Sequence, residues 1–138
     1  MNPAEIQTQV TAALTAAFAG KPVFAWTGEN YKDIQDALAL HGITIVVDRA
    51  TFGKPIDQVK ESCAVEFYFE VTIEAKPEST DDVDANLLTA IRTVIAIADD
   101  PIRGRKDYRL DKERPFVYIA PEKGSKGWII NFTKTTMI

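Results

Sequence analysis

With one cysteine and one histidine in 138 residues, the chain has little with which to build a metal or nucleophilic centre. Cys63 has no intramolecular partner, so a disulfide framework and a Cys-based zinc site are both excluded, and a reducing compartment is the natural expectation. Positive charge is also in short supply. Sixteen Lys and Arg stand against 20 Asp and Glu, for a net charge of -4 and a pI near 5.0. That balance argues against a general nucleic-acid binder, whose affinity rests on cations neutralising phosphates. No stretch approaches the ~20 apolar residues needed to span a bilayer. The opening MNPAEIQTQVTAALTAAFAG lacks the basic start and unbroken apolar run of a signal peptide. Neither GxGxxG nor a P-loop occurs, and Gly124-Ser125-Lys126-Gly127 lacks the Walker spacing and reads as a hairpin turn.

What remains is an ordinary globular composition, 46% hydrophobic and 26% charged. A chain of this length fits one domain, residues 1–138, able to bury roughly two-thirds of its unfolded surface without metals or disulfides.

Hydrophobic spacing predicts the elements. Asn2 as N-cap, Pro3 in the first helical position and Glu5 as capping carboxylate start a helix with Ile6, Val10, Leu14 and Phe18 on one face, closed by Gly20. KPVFAW, Lys21 to Trp26, reads as a short strand, and NYKDIQDALALHG, Asn30 to Gly42, as a short helix. Ile43 to Phe52 is predicted as one strand, after which Gly53 and Pro55 open a loop. From Ser62 to Lys76, Val65, Phe67, Phe69, Val71 and Ile73 alternate with Glu66, Tyr68, Glu70, Thr72 and Glu74, which predicts a strand with one core face and one wet or contacting face. A helix capped by Ser79 or Thr80 carries Val83, Leu87, Ile91, Val94, Ile95 and Ala98 and ends near Asp99 or Asp100. Asp99 to Arg114 is predicted as an exposed charged loop, followed by a hairpin of Pro115 to Ala120 and Trp128 to about Met137. The expected class is α+β: a single, largely antiparallel sheet with two main helices on one face and a closing C-terminal hairpin.

Candidate chemistry is thin. His41 precedes the Gly42 helix stop, where a cation suits the helix C-terminus, and no nucleophile elbow or thiol-protease pattern surrounds it or Cys63. Glu66 and Glu70 lie about 13 Å apart at strand rise, too far to share one ion, so the row Glu66, Glu70, Glu74 reads as a solvated face or as a negative wall past which a polyanion slides. Arg103, Gly104, Arg105 and Lys106 form a short basic run ringed by acids, a solvated loop rather than a phosphate site. No catalytic, cofactor or metal residues are expected, and the chain does not read as an enzyme.

The order of elements resembles the tail terminator, or tail-completion, proteins of long-tailed bacteriophages and prophages. The resemblance rests on the leading helix PAEIQTQVTAALTAAF, the strands carrying ITIVV and VEFYFEVTIEA, the long helix DVDANLLTAIRTVIAIA and the closing strand GWIINFTKTTMI. It implies a structural subunit that forms a ring, commonly a hexamer, on the tail tube, ends tube polymerisation and joins the head-side connector. It also implies that DNA only passes through the ring, and that the protein moves from the bacterial cytoplasm to the virion tail. Contacts of such a ring are expected from the charged loop, at Arg103, Arg105, Lys106, Tyr108 and Arg109, and from the strand face, at Glu66, Tyr68 and Glu70, because a closed ring joins two different patches. The alternative is a small ligand-binding or regulatory domain on a ferredoxin-like α+β layer.

Overall fold

The computed structural model describes residues 1–59, 62–98 and 106–137. Helix α1 (Pro3–Ala17) begins as its sequence predicts: the Asn2 side chain accepts from the Glu5 N–H at 2.9 Å and donates to the Glu5 carboxylate at 2.8 Å, holding the first turn from both sides. Its stripe Ile6, Val10, Leu14 is fully buried.

Strand β1 (Val23–Ala25) runs parallel to β2 (Ile43–Val47), and helix α2 (Tyr31–His41) makes the crossover, ended by Gly42 at φ +78°. The Gln7 side chain of α1 donates to the carbonyls of Trp26 and Val47, at 2.8 and 2.9 Å, and so locks the ends of this parallel pair to the helix. Ile34 and Leu38 of α2 are buried but stand outside the main core cluster. Thr44 points away from Ile43 and Ile45 by strand alternation, yet is only 1% exposed, as expected if α2 covers this end of the opposite sheet face.

Strand β3 (Thr51–Val59) continues along the same edge of β4 (Ser62–Ala75) that β2 occupies, after a short interruption and with register shifts between Phe52 and Pro55 and between Pro55 and Asp57. The loop expected at Gly53 and Pro55 is therefore strand. Proline is tolerated because, among the described residues, β3 is bonded to β4 alone, and Gly53 is required because a Cβ there would come within 2.5 Å of the Tyr68 ring. An edge strand interrupted by bulges carries the same residues as a loop.

The alternation in β4 is realised in full: Val65, Phe67, Phe69, Val71 and Ile73 are buried, and the residues between them are not. Its partner β7 (Lys126–Met137) pairs antiparallel along the whole length, from Ala64↔Met137 to Ala75↔Lys126. Together β4 and β7 are the centre of a seven-stranded, mostly antiparallel sheet of order β1-β2-β4-β7-β5, with β3 on β4 and β6 on β7. Strands β5 (Tyr108–Leu110) and β6 (Phe116–Ile119) share one edge of β7, and β6 and β7 form the expected closing hairpin. Gly127, at φ +151°, lies so close to the Ile73 carbonyl that no other residue fits there.

Helix α3 (Val83–Ile95) packs with α1 on one sheet face. Its cap is Asp82, whose carboxylate accepts from the N–H groups of Asp84 and Ala85, and not Ser79 or Thr80 as the sequence suggests; Ser79 instead bonds Asp81. The helix also ends earlier than expected, leaving Ile95 40% exposed. The stacked pair Phe69 and Phe132 lies in the core between the sheet and these helices. Lys134 enters the same face opposite Phe67, 2% exposed, its ammonium over the Tyr108 ring and 3.8 Å from the Asp107 carboxylate.

Candidate functional site

The sheet face opposite α1 and α3 gathers four of the eight residues that the sequence singles out for contacts: Glu66, Tyr68, Glu70 and Arg109. Alternation on β4 turns Glu66, Tyr68 and Glu70 to this side. The register then lays Thr51, Tyr68, Thr133 and Arg109 in one row across four strands, β3, β4, β7 and β5. The loop cation Arg109 and the strand residues Glu66, Tyr68 and Glu70 therefore belong to one surface rather than to two separate patches.

Two adjoining concavities of about 220 and 860 Å³ run along this surface and share Tyr68 and Asp111. The smaller holds Asp48, Arg49 and Glu70, and the larger Glu66, Arg109, Lys112 and Glu113. Carboxylates outnumber cations in this trough. Its electrostatics follow: burial first, and then the charge of Asp48, raises the Glu70 carboxyl above its ordinary value. Burial raises Asp48 too, opposed by the Arg49 backbone N–H. The Tyr68 hydroxyl is raised by its hydrogen bond with Glu66, by desolvation and by the charges of Glu66, Asp111 and Glu113. Tyr68 stays a neutral phenol and a flat, polar-tipped contact.

Asn131 shapes one wall of the trough. Its backbone N–H donates to the Pro115 carbonyl, its carbonyl accepts from the Asp111 N–H, and its side chain donates to the Arg114 carbonyl at 2.8 Å. One residue thus pins both ends of the excursion Asp111 to Pro115, which separates β5 from β6. Asp48 and Asn131 are not singled out by sequence reasoning, and Asp111 and Glu113 enter it only as acids around the basic run of the charged loop. An asparagine inside an otherwise strand-like run is the one local signal, because asparagine is uncommon in strands and favours local bonds to the backbone.

Tyr108, expected at a surface, is core: it is 2% exposed, its ring meets Phe69 edge-on at 5.8 Å, and its hydroxyl donates to Gln9 at 2.5 Å. The odd-even phase of β5 sends Tyr108 to the helix side and Arg109 to the far side. Lys106 is exposed just before β5, and Arg103 and Arg105 lie outside the described residues. Cys63 is half-buried and packs against the core. Trp128, near the start of β7, donates its indole N–H to Asp84 at 2.8 Å. Among the described residues no group of three or more His, Cys, Asp or Glu side chains is placed to hold a metal ion, and no helix is long and apolar enough to cross a membrane.

No protein-family model matches the chain, and a search of curated proteins finds no match either.

Proposed function

We propose that the chain is a structural subunit of a long-tailed phage or prophage tail, which caps the tail tube as a ring, ends its polymerisation and offers the joining surface to the head-side connector. The observation that carries this reading is the division of labour between the two sheet faces. One face is sealed by α1 and α3 over an apolar core. The other leaves a broad row of polar side chains on regular strands, with Tyr68 at its centre and acids around it. Strand surfaces of this kind suit extended protein contacts, and the surplus of carboxylates suits a channel wall along which DNA passes without adhering. The order of helices and strands supports the same reading.

The alternative, a small ligand-binding or regulatory domain on a ferredoxin-like layer, calls for an apolar pocket, whereas the concavities of the strand face are lined mostly by polar and charged side chains, which favours the first reading.

The test is polymerisation of the tail-tube protein encoded by the same genome, with and without this chain, followed by electron microscopy. Capping predicts tubes with a ring at one end and arrested growth. Tubes of unchanged length, with no chain attached, sink the proposal. A charge-reversed Glu70→Lys variant is expected to bind tubes more weakly while folding normally.

A further inference from the structure

The geometry points to β6 as an intermolecular strand-pairing edge whose occupant is β6 of a second copy, antiparallel, about a twofold axis normal to the sheet at Val117. The inference is independent of the tail reading. β6 is bonded to β7 on one side, and no other strand pairs with it among the described residues. The bond from the Asn131 N–H to the Pro115 carbonyl sets the phase of the ladder. By antiparallel alternation Val117 and Ile119 turn their N–H and C=O groups to β7, and Phe116 and Tyr118 turn theirs outward.

Natural sheet edges are guarded by charges, prolines, bulges or covering segments. Here the four strand residues are Phe116, Val117, Tyr118 and Ile119, and the first three are 41%, 37% and 52% exposed. Pro115 does not guard the edge, since its nitrogen faces β7. The apolar surface extends past the strand. Phe116 and Tyr118 lie against Trp128, Trp128 is bonded to Asp84, and Leu88, one helical turn on from Asp84, is 51% exposed.

The occupant follows from complementarity of hydrogen bonds. The open window offers two outward-facing residues, Phe116 and Tyr118, placed symmetrically about Val117, and it is closed at one end by the Asp111–Pro115 excursion and at the other by the 3-10 turn Pro121–Lys123. A second β6 has the same length and the same symmetry. Phe116 of one copy then meets Tyr118 of the other as a mutually bonded pair, twice, so every outward N–H and C=O of these residues is satisfied. A twofold axis normal to the sheet keeps the helices of both copies on the same side, which joins the two Trp128–Leu88 surfaces into one.

In this arrangement the two Val117 residues form a non-bonded antiparallel pair with Cα atoms about 4.5 Å apart, within disulfide reach. The experiment is Val117→Cys in a Cys63→Ser background, oxidised at low concentration, beside sedimentation of the wild-type chain over a concentration series. A dimer in sedimentation and a Val117→Cys disulfide dimer are expected, with Ile119→Cys as the register control that forms no disulfide. Tyr118→Lys, shown to be folded by circular dichroism, is expected to weaken dimerisation about tenfold or more. A wild-type chain that stays monomeric to several hundred micromolar overturns the inference, as does a dimer or ring that forms while Val117→Cys fails to cross-link.

Discussion

The Asn131 side-chain amide donates to the Arg114 carbonyl at 2.8 Å, across the neck of the excursion that divides β5 from β6. Replacing it by alanine removes this bond while leaving the backbone bonds of residue 131 in place. Asn131→Ala is expected to cost about 1 kcal/mol. The diagnostic readout is hydrogen exchange, which should accelerate within residues 111–115 and stay unchanged in α1.

Tyr108 supplies a sharper contrast. Tyr108→Phe deletes the bond to Gln9 and should cost about 1 kcal/mol in urea unfolding, whereas Tyr108→Ala should cost about 3–5 kcal/mol by opening a cavity beside Phe69. A change within about 0.5 kcal/mol for the alanine variant is the response of a surface site and is incompatible with the core position.

Two glycines separate steric from conformational cost. Gly124 has φ +88° and nothing within 4 Å of a Cβ, so Gly124→Ala should cost only the left-handed backbone term, about 1–2 kcal/mol. At Gly127 the added carbon meets the Ile73 carbonyl as well, so Gly127→Ala should cost about 3 kcal/mol or more, or prevent folding. Thermal unfolding of the pair decides this; equal losses contradict the close approach of β7 to β4.

The trough makes stability depend on pH in a definite direction. The folded state raises the carboxyl pKa of Glu70 and Asp48, so the folded chain holds those protons more tightly than the unfolded chain. Their contribution therefore becomes more favourable as pH falls from neutrality into the carboxylate range. Asp81 behaves oppositely: its hydrogen bond from Lys21 lowers its pKa, and the stability it contributes above the ordinary value is lost as pH falls through the folded one. Glu70→Gln should raise the unfolding midpoint at pH 7 and flatten the profile between pH 7 and the carboxylate range, where Asp81→Asn should instead lower the midpoint at pH 7. Unfolding curves for both variants across that interval provide the check.

The elements legible in the sequence are those in which one local pattern meets one environment. The Asn2-Pro3-Glu5 start of α1, the Gly42 stop of α2 and the alternation of β4 each act through neighbours a few residues away, and each is found as expected. What escapes is set by distant partners. Gly53 reads as a loop until the ring of Tyr68 is laid over it, and Tyr108 reads as surface until the pairing Tyr108↔Lys134 fixes its phase. Asp82 is the cap of α3 because the chain turns helical only at Val83, while Ser79, three residues earlier, bonds Asp81. The candidate site was half visible: Glu66, Tyr68 and Glu70 follow from alternation, while Arg109, Asp111 and Asn131 join them only through the register of β7.

Between β5 and β6 the register against β7 advances by four residues, an even number, so Asp111 and Pro115 both come to stand opposite Asn131. Lys112 to Pro115 can therefore be cut out on paper and the ends rejoined, with Phe116 still opposite Ile130 and every side chain still on its original face. The excursion behaves as a cassette: its length and charge can be altered without moving the sheet that carries it.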